Sequence, residues 1–347
     1  MPTENESSLA KLQVEYWRGI HLKDSILWMD APRRVDLCFI SHSHRCERIN
    51  HGKILCTEST ATLCKSRGMN ANFLISPYEQ TFSLGGMELE LHPAGHMPGS
   101  AQLKVTYNNQ FELVYTGHFD LNPHRTTEQA KIHSCDILVM DSGHAHPQVR
   151  HDPIEKSERA LLKWTKNALR KNFNPIILAD PTGLAQEIAA LFIEQGIEVR
   201  AHKSIYSLCK VFSSMGLPTK GVKSLSKKVL RDEVLLMPPH LANSNILDCL
   251  ERSCFALVTD SPKSSVHHAA RIAEKTFFLG ISADFLSLTE YARQSGAEEI
   301  YVVGKFANLV SERLRSMHLG AWPLKPPEQL DLFVHHGRAT DMHGSQQ

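Results

Sequence analysis

The chain has 347 residues, which at ~150 residues per domain is a prior of about two domains and leaves ample length for a buried core. Hydrophobic residues at 42% and charged residues at 22% exclude a disordered, collagen-like or coiled-coil chain. Thirty-eight basic residues against 37 acidic ones leave a net charge of +1, so the whole-molecule field singles out no nucleic-acid partner and any basic surface has to be local.

No uninterrupted apolar run reaches the ~18–20 residues of a membrane span. Residues 1–10 carry two glutamates and lack the apolar centre of a secretory signal. A soluble, cytoplasmic protein without a membrane partner is expected. The eight cysteines show neither C-x-x-C pairs nor the density of a disulfide scaffold, which predicts reduced thiols. Twenty histidines is a high count, and their clustering points to metal chemistry.

In chain order, strand patterns occupy 26–30 and 35–40, the second ending abruptly in Ser41-His42-Ser43-His44. A strand at 53–56 and a helix over 59–67 capped by Ser59 follow, then a strand over 87–92 entered through Gly85-Gly86. Strands 102–107 and 111–116 flank an Asn108-Asn109 turn, and 136–140 reads as a buried strand. From about Pro153 helices and short apolar strands alternate: helix 154–172, strand 176–179, helix 183–195, strand 197–201. A polar connection spans 220–232, followed by strands 255–259 and 299–303 and helices 286–295 and 308–318. Such βα periodicity predicts a parallel sheet. Beyond Trp322 the prolines and the polar composition predict a mobile tail over 323–347.

A strand that ends in H-x-H sets two imidazoles on one side of an extended segment, where one cation can be shared; His42 and His44 fit that. A second strand ends in the glycine-rich His92-Pro93-Ala94-Gly95-His96, and a third in Gly117-His118-Phe119-Asp120. His92 reads as a structural strand-end residue. His51, His124, His144, His146 and His151 read as solvated loop histidines, and His267-His268 as a surface pair on a helix. Asp120 and Asp141 read as turn or outer hydrogen-bond acceptors rather than direct ligands.

S-H-S-H, H-P-A-G-H-x-x-G-S-A-Q and Y-T-G-x-F-D, each at a strand end, resemble the metallo-β-lactamase fold in its β-CASP nuclease branch. The nearest type is the bacterial ligase-associated DNA exonuclease, also described as mRNA 3′-end processing exonuclease-like. The resemblance runs nearly end to end. Asp141-Ser142 stands where the family has an acidic-Ser-Thr motif, Gly183-Leu184-Ala185-Gln186 where it has G-K-A-Q, 278–285 where it has L-S-D-H-A-D, and 302–306 where it has V-T-H-G. It implies an α/β protein: an αββα sandwich from 1–147 and 276–322, a β-CASP-like insert over 148–275, and the tail 323–347. It further implies a metal-dependent nuclease acting on DNA, or RNA, in bacterial repair, with DNA ligase or helicase partners.

The departures bear on chemistry. The family's first motif, H-x-H-x-D-H, here reads His42-Ser43-His44-Arg45-Cys46-Glu47, so Cys46 and Glu47 stand where the second metal's ligands would be. The bridging carboxylate is His118, and the two later histidines are Ser282 and Gly304. His42, His44 and His96 survive, with His118 as a candidate fourth ligand for one zinc ion. A closed four-histidine shell leaves no position for an activated water, and two-metal hydrolysis needs both ions. Two readings follow: a degenerate nuclease that binds nucleic acid, with one zinc ion or none, or a hydrolase with a mononuclear or rebuilt centre. In the second, Cys46, Glu47, Asp120 and Asp141 are the candidate catalytic groups.

Lys156, Arg159, Lys163, Lys166 and Arg170 recur at helical spacing and form a basic stripe suited to phosphate contact, or merely a solvated face. Lys220, Lys223, Lys227, Lys228 and Arg231 form a second patch. In the tail, Gln329-Leu330-Asp331-Leu332-Phe333 resembles the peptide by which bacterial replication and repair proteins dock on the DNA sliding clamp, Gln329 bonding the pocket rim and Leu332 and Phe333 filling it.

Overall fold

The computed structural model describes residues 13–17, 19–46, 49–108, 111–148, 152–225, 232–244, 252–260 and 267–326, the side chains of 267 and 268 excepted. The clamp-type peptide 329–333, Glu47, His151, Lys227, Lys228 and Arg231 therefore lie outside the described residues.

The chain opens with a six-stranded sheet in sequence order: β1 (Val14–Tyr16), β2 (Ile20–Leu22), β3 (Leu27–Met29), β4 (Leu37–Phe39), β5 (Lys53–Cys56) and β6 (Phe73–Ile75). The first three pair antiparallel and the rest in parallel. Helix α1 (Glu58–Ser66) covers its outer face through Ala61 and Cys64. Its cap is Thr57, whose hydroxyl accepts from the Thr60 amide at 3.2 Å, not Ser59: the strand ends at Cys56, so the first extended residue after it takes the cap. The second sheet begins with β7 (Phe82–Leu84), β8 (Met87–Pro93), β9 (Ala101–Tyr107) and β10 (Phe111–Tyr115), an antiparallel meander, and β11 (Ile137–Asp141) adds in parallel.

The chain then builds a third, all-parallel sheet. Its elements are α2 (Ile154–Arg170), β12 (Asn174–Leu178), α3 (Leu184–Glu194), β13 (Glu198–Ala201), α4 (Lys203–Ser214), β14 (Lys223–Ser224), β15 (Glu233–Met237), β16 (Ser253–Thr259), α5 (His267–Ile272) and β17 (Lys275–Phe278). Strand order is β14-β13-β15-β12-β16-β17. Consecutive residues of β12 serve opposite faces: Ile177 packs with Leu161, Ile188 and Phe192 under α2 and α3, while Ile176 and Leu178 pack with Leu235 and Ala269. β17 runs three residues past the boundary expected at 275, because Phe277 and Leu279 belong to this core. The chain returns through α6 (Phe285–Gln294), β18 (Glu299–Val303), α7 (Ala307–Arg315) and β19 (Ala321–Pro323), and β18 and β19 extend the second sheet from β11 in parallel.

Alternation along the central strands defines the layers. Leu113, Tyr115, Ile137 and Val139 face the first sheet, meeting Leu27, Phe39 and Leu55. Val114, Leu138 and Met140 face α6 and α7, meeting Leu288, Tyr291, Val310 and Leu314. Two facing sheets with helices outside both, carrying a parallel βα cap, are the metallo-β-lactamase αββα sandwich with a β-CASP-type cap. Cap and sandwich are joined where Met97 and Leu63 meet Phe212, and where Arg125 reaches Glu158, Glu187 and Glu194 of α2 and α3. Among the described residues no helix is long and apolar enough to cross a membrane.

Candidate metal centre

The cleft between sandwich and cap lies at strand ends, where backbone donors and acceptors are freed from ladders. β4 runs out into Ser41 and His42, and a short 3-10 turn, Ser43–Arg45, aims His44 and Arg45 in different directions. β8 runs out into the 94–100 loop that carries His96. That loop is fixed by Gly99, whose carbonyl accepts from the Thr57 and Thr60 hydroxyls at 2.6 and 2.8 Å, and by Gly95 in the left-handed region at φ 75°. The ligand-type atoms of His42, His44 and His96 lie within 4.8 Å of one another.

Each ring is oriented from behind. His42 Nδ1 lies 2.8 Å from the Ser41 hydroxyl. His96 Nδ1 donates to the Ile281 carbonyl at 2.6 Å, with the Ser282 hydroxyl 3.2 Å away. The Thr182 backbone holds His44 from the cap. With Nδ1 so engaged, the Nε2 atoms of His42 and His96 are buried and, among the described residues, meet no hydrogen-bond partner. An unpaired buried nitrogen is costly, and a shared cation satisfies both. Burial drives all three histidines toward the neutral form, helped by the neighbouring rings and cations: His42 and His96 fall well below 6.5 and His44 falls to about 4. Neutral imidazole is the ligating form. The three residues therefore fit a divalent ion, which would supply a Lewis acid and a water activator there.

His118 lies against this group but outside it. Its ring stacks on His42 at 4.9 Å between centroids, and its Nε2 is 3.4 Å from Asp141 Oδ2. Asp141 also accepts from Arg45 Nη2 at 2.5 Å and from the Gly143 amide at 2.8 Å. Burial alone would raise this carboxyl, but His118 and Arg45 outweigh it and hold it well below the usual carboxylate range. Arg45 Nε sits 3.8 Å from Asp30 Oδ2. Asp30 in turn accepts from the Ser41 amide and hydroxyl and from the Tyr115 hydroxyl, at 2.8, 2.5 and 2.8 Å. Asp30 and Asp141 thus flank a guanidinium next to the three imidazoles. A Cβ on Gly304 would sit 2.8 Å from Asp141 Oδ1, so backbone closes that side.

Several expectations change. Cys46 is not a free thiol: it is joined to Cys64 of α1, which brings the residue after Arg45 against that helix and away from the three imidazoles. The five other described cysteines are buried and free. Asp120 is turned away to His124, at 3.0 Å, and to the Asn122 amide. His124 is consequently buried rather than solvated, as is His51, whose Nδ1 accepts from the Val35 amide at 3.3 Å. His92 is a strand residue packed on the His133 ring. His144 pairs with Asp260 at the end of β16, 3.3 Å away; that bond raises the histidine and lowers the acid. Asp30, Arg45, Tyr115, Asp260 and Thr182 carry no sequence signal of their own.

The stripe residues Lys156, Arg159, Lys163, Lys166 and Arg170 are all exposed on α2, opposite its buried Leu161 and Ala168. Lys163 and Arg170 line a groove with Trp164, Asn167 and Lys275. Lys156 is paired with Asp152 at 2.8 Å, and Lys223 with Glu198 and Glu233.

The fold is of the metallo-β-lactamase type with a β-CASP-type cap, and the chain is similar to proteins named as a probable DNA ligase, a DNA cross-link repair protein and a probable RNase. It is 24% identical over 324 residues to a probable DNA ligase of Opitutus terrae, a match covering 92% of this chain and 32% of that protein. It is 24% identical over 202 residues to the DNA cross-link repair protein SNM1 of Arabidopsis thaliana, 53% of this chain and 41% of that one. It is 28% identical over 113 residues to the probable RNase MJ4 of Methanocaldococcus jannaschii, 31% and 26% of the respective chains. The chain thus spans well under half the length of these relatives. A crystal structure of a protein of unknown function from Enterococcus faecalis superposes with a TM-score of 0.57 at 13% identity, covering 77% of this chain and 74% of that one. No family model matches the chain.

Proposed function

We propose that the chain is a nucleic-acid-binding protein of the nuclease type that holds one divalent ion, zinc by the preference of three imidazoles, on His42, His44 and His96, and does not carry out two-metal cleavage. The observation that carries this reading is the pairing of Asp141 with Arg45 and His118 beside three imidazoles, of which His42 and His96 have buried inward nitrogens without a hydrogen-bond partner among the described residues. Arg45 and His118 lie on Oδ2 of this carboxylate and the Gly143 amide on Oδ1, so both oxygens already have partners that compete with a second cation. Nucleic acid, DNA before RNA, is the ligand because the relatives that match here include a probable ligase and a repair protein, and because α2 offers an exposed basic stripe. The test is elemental analysis of purified chain and of His96→Ala, followed by nuclease and binding assays. One ion per chain, lost in His96→Ala, with DNA bound but not cut, is the expected result. Two ions per chain, or chelator-sensitive cleavage that disappears in His96→Ala, overturns it.

The peptide Gln329-Leu330-Asp331-Leu332-Phe333 supports a second element of the same proposal, docking on a bacterial sliding clamp during DNA repair in the cytoplasm, alongside ligase or helicase partners. Deleting these five residues is expected to abolish clamp binding in a surface-capture assay without lowering the melting temperature. Unchanged binding refutes it.

A further inference from the structure

We infer that Arg45 is a phosphate-binding residue of the cleft whose contact with a nucleic-acid phosphodiester depends on the ion at the histidine cluster. The inference rests on the proposed one-ion, nucleic-acid-binding function and assigns the group that reads the phosphate.

Geometry places the guanidinium. Arg45 follows His44 directly in the Ser43–Arg45 turn, and its side chain is 38% exposed, so one edge is held by acids while the rest stays open to solvent. The held edge is defined: Nη2 donates to Asp141 at 2.5 Å and Nε faces Asp30 at 3.8 Å. Those two acids are nearly fully buried, their side chains 2% and 3% exposed, so they anchor the guanidinium and do not themselves face the cleft openly. An arginine fixed through one edge presents the rest of its fork to a phosphate with little conformational freedom left to lose.

Charge makes the contact conditional. Asp30 and Asp141 flank Arg45, and His118 lies 3.4 Å from Asp141, so without an ion the cluster offers a phosphodiester no excess of positive charge. A divalent ion on His42, His44 and His96 adds two positive charges beside the guanidinium, opposite in sign to the charge of the diester. The nearby Asp260 is paired with His144 at 3.3 Å. Removing the guanidinium takes one positive charge, and the fork that would grip the phosphate, from the loaded cluster.

The experiment uses the full chain and a fluorescent single-stranded oligonucleotide, titrated at fixed ionic strength with protein either loaded with one equivalent of zinc or treated with chelator. Wild type is expected to bind at least about tenfold more tightly when loaded, and Arg45→Gln to bind more weakly than wild type when loaded, with a smaller zinc-dependent gain. Arg45→Lys, which keeps the charge but not the fork, is expected to retain part of the gain, and guards against misfolding of the glutamine variant. Zinc content of each variant is measured alongside. Overturning results are a zinc-dependent gain equal in Arg45→Gln and wild type, or wild-type binding that zinc does not strengthen. A wild-type chain that binds no oligonucleotide under either condition overturns instead the function on which the inference rests.

Discussion

Replacing Gly95 by alanine probes how the third imidazole is held. A Cβ at this position would fall 2.2 Å from the Asp120 carbonyl oxygen and 3.1 Å from the Ala130 amide nitrogen, both backbone atoms that no rotamer change can move aside. The Asp120 amide already donates to the Ala94 carbonyl at 2.8 Å, so the two loops cannot simply part. The left-handed φ of 75° costs an alanine ~1–2 kcal/mol, and the forced contact adds ~1–3 kcal/mol. Gly68 supplies the control: it has φ 85° with nothing within 4 Å of its Cβ position, so Gly68→Ala bears only the first cost. Urea denaturation of the metal-free proteins should rank wild type, Gly68→Ala, Gly95→Ala in falling stability. Elemental analysis should find zinc retained in Gly68→Ala and weakened in Gly95→Ala, because displacing residue 95 displaces His96. Equal losses in the two variants, or full zinc retention by Gly95→Ala, would refute the reasoning.

Acidity should act through the same cluster. His44 is held at about 4 against an ordinary 6.5, so the unfolded chain takes up its proton first: metal-free stability is complete above pH 6.5 and declines as pH falls toward 4. The loss from His44 alone is on the order of 3 kcal/mol, with His42 and His96 acting in the same direction, and a melting temperature that rises on acidification would contradict it. Reduction, or Cys64→Ser, opens an 18-residue loop and should cost up to ~3 kcal/mol in denaturant titrations; equal midpoints with and without reductant would count against the pairing. Arg125→Ala removes the pairs with Glu158 and Glu194, while Glu187 keeps the backbone amides of residues 125 and 126 and the Thr126 hydroxyl. It should lower stability by ~1 kcal/mol with zinc content unchanged, and an unchanged denaturation midpoint would count against a role for these pairs in joining cap to sandwich. Arg159→Glu combined with Lys163→Glu should flatten the salt dependence of DNA binding by a slope of about 2, and an unchanged slope would return the stripe to plain solvated surface.

The strand ends that carry His42, His44 and His96 were legible because a β-run stopping at H-x-H or at glycine-flanked histidine leaves a local trace. Strands β8 and β9 were legible through a period-two pattern of their own, and β11 as a short continuous apolar run. Helix α4 was not, since Ser204, Ser207, Ser213 and Val211 favour helix poorly; it forms because Ile205, Cys209 and Phe212 recur at helical spacing onto the cap core. The partners of Arg45 were equally hidden. Asp30 is a single acid after a short strand, and its link to Tyr115 crosses 85 residues, a separation at which no sequence window operates. The Cys46–Cys64 pairing has no spacing signature, and the burial of His51 and His124 follows from loops passing beneath neighbours rather than from local composition.

The bond from His96 to the Ile281 carbonyl joins residues 185 positions apart. On a ribosome adding ~5–20 residues per second, His96 emerges on the order of ten to forty seconds before the backbone that orients it. During that interval the three imidazoles exist on a nascent chain without the cap backbone at Thr182 and the Ile281 carbonyl that contact His44 and His96, exposed to whatever metal the surroundings offer. Capture of the right ion is thus tied to completion of the polypeptide, and a ribosome stalled within the cap would release a chain bearing the histidines but not the centre.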